Sequence, residues 1–146
     1  MSSIIILVIY VMSNINIKTQ AEAILHFFMK LDIDMVNELL DGDRTYSDLE
    51  KPLFIHKLGN AFDEFLAAGD KHLFLYPGKC CSIECDSSGC PGYAFVGNKS
   101  GLFMELVFKE EQGRVTDIYD CSDFNAYSPP RKFDKRVKID RLEFPF

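Results

Sequence analysis

The sequence predicts an α+β fold, in which three N-terminal helices pack against a curved antiparallel sheet with the connectivity of a meander. The first observation is that apolar residues recur at helical spacing in the first half of the chain. The second is that residues 79–124 contain strand-like runs separated by the turn sequences DSSG, GNKSG and EEQG. A chain in which the helices come first and the hairpins follow, so that helices and strands do not alternate, is typical of the α+β class.

Capping signals define the first two helices. Thr19 and Glu22 form a T-x-x-E capping box, in which side chain and backbone satisfy each other's free amides, and this predicts a helix over residues 20–30. Asp32 is placed to cap a second, short helix, and Gly42 is placed to end it.

A third, longer helix is predicted to follow. Ser47 and Glu50 match a second capping box, and Pro52 falls in the first turn, where its missing N–H costs nothing. The helix is expected to run to about residue 68 and to end at Gly69. The residues predicted to face the core are Ile55, Leu58, Phe62, Phe65 and Leu66.

Strand patterns dominate the rest of the chain. Residues 73–76 are predicted to form a strand that Pro77-Gly78 breaks. Residues 102–108 alternate, yet both faces of this strand are largely apolar. We therefore expect it to be covered by the helices on one side and by a partner subunit or the C-terminal tail on the other. EEQG then closes a hairpin into residues 114–121.

Composition and charge limit the classes of partner. The 146 residues carry a formal net charge of −6 and a pI near 5.0, which argues against a nucleic-acid binder because such a protein presents a basic face to phosphates. Residues 131–146 hold six basic and three acidic side chains, so this tail carries +3 and the rest of the chain −9. The tail is expected either to be solvated or to dock on its own acidic body or on a second subunit.

The N-terminal apolar run, residues 4–11, is shorter than the roughly 20 residues that a membrane span requires. It lacks a preceding basic residue and a following cleavage site, so neither membrane insertion nor export is expected, and the predicted location is cytoplasmic. Met12 is a second candidate start. The predicted organisation is an N-terminal extension over 1–18, one domain over 19–128 and a basic, aromatic tail over 129–146.

Two segments resemble the nuclear transport factor 2-like superfamily, the cone-shaped α+β fold shared with ketosteroid isomerases and polyketide cyclases. ILHFFMKLDIDMVNELLDGDRTYSD is similar to the first two helices of that fold and the turn after them, and GLFMELVFKEEQGRVTDIYDCSDF is similar to its last hairpin. The resemblance covers about residues 19–124 and implies a cavity between the helices and the concave face of the sheet. The candidate lining residues are Phe27, Tyr46, His56, Phe62 and Met104.

The resemblance also points to Asp48, which aligns through LLDGDRTYSD with the carboxylate base of ketosteroid isomerases. In those enzymes a Tyr and a protonated Asp hold the oxyanion. Here Phe27 or Phe28 stands where the Tyr would, and an enzyme without that donor loses what is usually the largest catalytic contribution. The alternative is a structural role for Asp48 beside the Ser47–Glu50 capping box.

The cysteines of the chain lie within or next to the predicted sheet. They are Cys80, Cys81, Cys85, Cys90 and Cys121. Without an export signal, such a cluster indicates metal ligands or reduced thiols more than disulfides. One hypothesis is a zinc held by Cys81, Cys85, Cys90 and Cys121, with His72 as an additional candidate ligand. In an extended strand Cys81 and Cys85 lie about 13 Å apart, so a shared metal requires a turn between them. Packed reduced thiols and a disulfide or redox role are the alternatives.

These observations favour a small, non-catalytic binding or interaction module that forms a homodimer through its sheet, with a structural zinc as a hypothesis. A small apolar ligand in the cone cavity is compatible with this function. The alternative is an isomerase-, cyclase- or hydratase-like enzyme that uses the same cavity. A third interpretation makes the domain a subunit of a larger assembly that it contacts through its basic tail.

Overall fold

The computed structural model describes residues 17–79, 91–120, 125–126 and 135–139. Within these ranges the fold is α+β, as predicted, with helices in the first half and a curved antiparallel sheet in the second. The helices are α1 (Gln20–Met29), α2 (Ile33–Leu39) and α3 (Lys51–Ala67).

The described strands form a small hairpin and one larger sheet. The hairpin pairs β1 (Thr45–Tyr46) with β2 (Leu49–Glu50). The larger sheet contains β3 (Leu73–Lys79), β4 (Pro91–Gly97), β5 (Leu102–Glu111), β6 (Arg114–Asp120), β7 (Asn125–Ala126) and β8 (Lys135–Arg136). Its order is β6-β5-β4-β3-β7 with antiparallel neighbours, and β8 pairs with β5 in parallel.

The N-terminal capping signals of the first two helices are confirmed, but the prediction that Gly42 ends the second is wrong, because α2 ends at Leu39 with Leu40 as its C-cap. Glu22 N donates to Thr19 Oγ1 at 3.1 Å, and the Glu22 carboxylate accepts from Lys18 N at 3.1 Å. At the next helix, Met35 N donates to Asp32 Oδ1 at 3.1 Å. These contacts lie within four residues of one another, so the local sequence is sufficient to specify them.

The second capping box, Ser47–Glu50, is wrong. Ser47 and Asp48 form the two-residue turn between β1 and β2, with φ angles of 54° and 63°. Glu50 is the N-cap of α3 without a side-chain hydrogen bond, while Pro52 does lie in the first turn as predicted. The Ser47 hydroxyl instead donates to Ile118 O at 2.5 Å, a distant partner that the local pattern does not reveal.

The buried face of α3 also differs from the prediction at two positions. Leu66 is 48% exposed, so its assignment to the core is wrong, whereas Phe54 is fully buried. The buried residues Phe54, Leu58, Ala61, Phe62 and Phe65 form one stripe of a 3.6-residue period, and Leu66 lies beside that stripe on the solvent side.

The predicted break at Pro77-Gly78 is wrong as well, because β3 continues to Lys79. Pro77 pairs with Tyr93 of β4, while β7 contacts β3 only at Gly78 and Lys79. No described strand therefore flanks Pro77 on the β7 side, and there the missing proline N–H costs no ladder hydrogen bond.

The turns GNKSG and EEQG are confirmed, and the second one anchors α1. Gln112 and Gly113 have φ angles of 52° and 79°, as a tight two-residue hairpin turn requires. Ala21 N donates to Gly113 O at 3.0 Å, and a Cβ at Gly113 would lie 2.9 Å from Thr19 Cγ2. The close approach of helix and turn therefore depends on glycine at this position.

The core lies between the three helices and one face of the sheet. Phe28 is its centre, with ring centroids 5.4 Å from Phe62, 5.3 Å from Phe95 and 5.3 Å from Phe108. All four rings are at most 1% exposed. Helix residues and strand residues thus meet in one aromatic cluster, and aromatic pairs of this geometry add to the free energy gained by apolar burial.

Candidate functional site

The structure assigns the predicted cavity residues to two different environments. Phe27, Tyr46, Phe62 and Met104 belong to one hydrophobic core cluster, and each is at most 7% exposed. His56 lies on the exposed surface of α3 and is not brought together with them. The aromatic cluster around Phe28 lies in the same space between helices and sheet, so side chains occupy the region where the resemblance implies a cavity.

Tyr46 is the one buried phenol among these candidates. Its hydroxyl donates to the backbone oxygen of Asp41 at 3.2 Å. Burial, helped by the charge of the Asp41 carboxylate, raises the pKa of Tyr46 to about 12. The phenol is therefore protonated at neutral pH, and its proton is already engaged by the protein.

Asp48 lies exposed at the tip of the β1–β2 turn. The nearby Asp117 accepts from Ser47 N at 2.9 Å and from Ile118 N at 2.8 Å. Burial raises the pKa of Asp117 from its ordinary value, and the Asp48 charge raises it further, against the effect of these amides. The candidate base is thus part of a turn that is joined to β6 through Ser47 and Asp117.

We expect the Asp48→Gly variant to be more stable than the wild type by about 0.5–1 kcal/mol, because glycine adopts a positive φ without the cost that a Cβ imposes. Asp48→Ala is the matched control, since it removes the same charge but keeps the Cβ. Urea denaturation at pH 7 measures both. If Asp48→Gly were less stable than the wild type by 1 kcal/mol or more, the carboxylate itself would have a structural role.

A cleft of about 360 Å³ lies beside this hairpin, at the start of α3. Its lining residues are Gly42, Asp43, Arg44, Thr45, Glu50, Lys51 and Pro52. The basic groups of this region already have partners: Arg44 Nε donates to Asp41 Oδ2 at 3.0 Å, and Lys51 Nζ donates to Leu40 O at 2.8 Å. Arg114 also pairs with Asp41, and its hydrogen bond is the main reason why the pKa of Asp41 is lowered. Acidic and basic groups line the cleft together, so it favours neither anions nor cations.

The zinc hypothesis concerns residues outside the described ranges, because Cys80, Cys81, Cys85, Cys90 and Cys121 all lie there. Among the residues that the structure describes, no group of three or more His, Cys, Asp or Glu side chains is arranged to hold a metal ion. His72 is exposed at the start of the sheet, where its ring packs edge-on against Phe74 with centroids 5.4 Å apart.

The face of the sheet opposite the helices carries an apolar row. Phe74 of β3 lies beside Val96 of β4, and Val96 lies beside Phe103 of β5. Phe74 is 48% exposed and Phe103 is half-buried. We call these three residues the outer row. Val96 is only 9% exposed, so Phe74 presents most of the accessible aromatic surface of this row.

The described part of the tail contacts the end of this row. β8 pairs with Leu102 and Phe103, and Val137 N donates to Phe103 O at 2.6 Å. Arg136 forms an ion pair with Glu105, and its guanidinium carbon lies 5.7 Å from the centre of the Phe103 ring. The expectation that the tail docks on its own body is therefore confirmed for residues 135–139.

Neither Arg136 nor Phe74 was among the predicted site residues. Leu73, Phe74 and Leu75 are all apolar, so their polarity does not reveal which face Phe74 occupies; the structure shows Leu73 and Leu75 packed toward the core, which puts Phe74 on the outer face. For Arg136 the available signal was the alternation of apolar and basic residues in RVKI, which predicts a strand with one buried face.

No described helix of this chain is long and apolar enough to cross a bilayer. Comparison with known proteins identifies no relative: no family model, no curated protein and no solved structure matches this chain.

Proposed function

We propose that this chain is a non-catalytic interaction module of the nuclear transport factor 2-like cone fold, and that it forms a homodimer through the outer face of its sheet. The observation that carries this proposal is the outer row, in which the large aromatic side chain of Phe74 is half exposed at the edge of an apolar strip. An enzyme of this fold would instead need an open cavity on the helix side.

A second copy of the chain is the partner that the charge distribution favours. Outside the tail the chain carries −9, so most surfaces of two copies repel each other. Phe74 is uncharged and half exposed, and a two-fold axis over the outer row brings its ring together with the same ring of the second copy, whereas Val96 is 9% exposed and Phe103 already contacts Arg136. Burial of aromatic surface then supplies the free energy of association.

Interior packing weighs against the enzymatic alternative. Phe28, Phe62, Phe95 and Phe108 contact one another at centroid distances that leave no room for a substrate among them, from 5.3 to 6.3 Å for the described pairs. Among the candidate catalytic groups, Asp48 lies at an exposed turn and Tyr46 already donates its proton to the backbone. These contacts favour a rigid scaffold over an isomerase-, cyclase- or hydratase-like site.

A structural zinc held by Cys81, Cys85, Cys90 and Cys121 is part of the proposal, supported by the density of cysteines in the sequence. Such a cluster of thiolates suits a reducing, cytoplasmic environment. Elemental analysis combined with thiol counting, on protein purified without chelator, tests this component independently of the dimer.

We expect Phe74→Glu to raise the dimer dissociation constant at least tenfold, because it brings two carboxylates into the apolar contact, where they lose hydration and repel each other. Leu66→Glu is the matched control. Leu66 is equally exposed, at 48%, but it lies on α3 and not on the sheet, so the dimer should persist. Light scattering over a concentration series measures both variants.

Two results would contradict the proposal. One is a wild-type chain that stays monomeric at about 100 μM, which is far above the dissociation constant of a stable dimer. The other is a Phe74→Glu variant that dimerises as the wild type does. Circular dichroism of both variants confirms that the fold is retained.

A further inference from the structure

β5 extends beyond the strand that pairs with its outer edge. β6 pairs with residues 106–111 of β5, and on that side Leu102 and Phe103 pair with β8 instead. The edge of residues 102–105 is thus a place where the sheet accepts a short additional strand. Exposed backbone groups at a strand edge bind extended peptides through main-chain hydrogen bonds, and the adjacent side chains then select the sequence.

The side chains at this edge select a basic residue. Arg136 is held by an ion pair with Glu105 and by contact with the face of the Phe103 ring. Both charged side chains are largely removed from water, with 21% of Arg136 and 13% of Glu105 exposed. Burial lowers the pKa of Arg136 from its ordinary value, although a guanidinium stays charged at neutral pH. A planar cation between a carboxylate and a ring fits arginine better than lysine.

Two apolar side chains complete the contact. Val137 is 1% exposed and Ile139 is 3% exposed, and both belong to the hydrophobic core of the domain. Ile139 N donates to Asp120 Oδ2 at 3.0 Å, while Lys138 between them is exposed. Residues 136–139 therefore follow the pattern arginine, apolar, any residue, apolar. Arg136, Val137 and Ile139 each make a separate contact with the domain.

We propose that the edge formed by Leu102–Glu105 and Asp120 is a peptide-binding site for an extended, basic segment of a partner protein with the pattern Arg–apolar–x–apolar, and that the chain's own residues 136–139 occupy this site as a built-in competitor. The proposal rests on the interaction-module function above and names its class of partner. The charge distribution supports a basic partner, because the body of the chain, with −9, attracts such a segment.

Because the tail is covalently attached to the domain, it competes strongly with a free peptide for the edge of β5. A segment tethered to its own site has an effective concentration of the order of millimolar. A free peptide with the same sequence therefore binds the wild-type chain weakly, and its affinity rises when the tail is displaced. An increase in peptide affinity on displacement of the tail distinguishes a peptide-binding site from a tail that is only a fixed part of the core.

The experiment uses the full chain and a fluorescein-labelled peptide that corresponds to residues 131–140, measured by fluorescence anisotropy. Arg136→Glu with Val137→Asp displaces the tail, since it places a carboxylate beside Glu105 and a second one in the apolar contact. We expect this release variant to bind the peptide at least tenfold more tightly than the wild type. Lys138→Glu is the matched control, because it reverses a charge of the same segment at an exposed position and should behave as the wild type does.

Charge exchange tests the pairing directly. In the release background, Glu105→Arg should abolish binding of the peptide, and a peptide with Glu in place of the arginine equivalent to Arg136 should bind this variant instead. If the release variant does not fold, as judged by circular dichroism, Arg136→Gln serves in its place, and we then expect an increase in affinity of about threefold.

The proposal is overturned if the release variant, or its milder replacement, binds the peptide no better than the wild type, or if binding is indifferent to Glu105→Arg. It is also overturned if the release variant associates with itself and ignores the peptide, since a second copy is then the occupant. The dimer of the outer row is measured separately through Phe74→Glu, so a failure of either proposal is recognised without the other.

Discussion

Replacing Phe28 by alanine is expected to lower the free energy of unfolding by about 3–5 kcal/mol, one of the two largest effects that we expect from a single substitution in this chain. Phe28 is fully buried, and its ring contacts those of Phe62, Phe95 and Phe108. Truncation removes the apolar area of one ring and leaves a cavity that three rings from different elements cannot fill by small movements. In a domain of this size the midpoint of thermal unfolding should fall by about 10 °C or more.

The change in the free energy of unfolding caused by Phe28→Ala also distinguishes a packed core from a binding cavity. If Phe28 lined an open cone cavity, truncation would enlarge a space that already exists, and the loss would stay near 1 kcal/mol. Leu66→Ala is the control for the loss of an apolar side chain at an exposed helical position, and we expect almost no change there. Urea denaturation followed by circular dichroism gives both values, and a small effect of Phe28→Ala would reopen the enzymatic alternative.

A comparably large loss, about 2–4 kcal/mol, is expected for Asp70→Ala. Asp70 is 2% exposed and holds the β4–β5 turn through its carboxylate. Oδ1 accepts from Lys99 N at 2.7 Å and from Ser100 N at 2.8 Å, and Oδ2 accepts from Ser100 Oγ at 2.5 Å. Alanine leaves two backbone amides without this acceptor, and hydrogen bonds to a charged group are stronger than those between neutral groups. Asp70→Asn is the control, and it should lose less because one acceptor oxygen is kept.

Gly97 makes this contact possible, and a double-mutant cycle can show it. A Cβ at position 97 would overlap the Asp70 carboxylate and lie 2.7 Å from Ser100 Oγ. Gly97→Ala should therefore destabilise the wild type, yet cost at least 1 kcal/mol less in the Asp70→Ala background, where the carboxylate is absent. Strict additivity of the two changes would contradict the direct contact. Chemical denaturation of the four proteins at one pH provides the cycle.

The parts of the fold that the sequence predicted correctly are those held by contacts between residues close together in the chain. The start of α1 and the start of α2 were predicted correctly because Thr19 and Asp32 interact with amides three residues away. The EEQG hairpin was predicted for the same reason, since its turn needs only local positive φ angles. Alternation in β5 was enough to separate its two faces, and the apolar outer face correctly indicated an additional cover.

Errors occurred where a distant element supplies the partner. Ser47 and Glu50 fit a capping box, but Ser47 bonds to Ile118, which lies 71 positions away. Pro77-Gly78 fits a strand end, but β4 pairs along the whole strand. For Leu66, the helical period alone allowed two assignments, and only the position of the sheet decided which stripe is buried.

The candidate sites likewise combine features set by local contacts with features set by residues far apart in the chain. The sequence by itself determined the fold class, the starts of α1 and α2, the turns GNKSG and EEQG, and the acidic body with a basic tail, because these follow from contacts within a few residues or from charge counting. Only the tertiary structure decided that Phe28 fills the concave side, that Phe74 faces outward, and that Arg136 reaches Glu105. The physical reason is that such contacts join segments far apart in the chain, so their free energy depends on the packing of the whole domain and has no local signature.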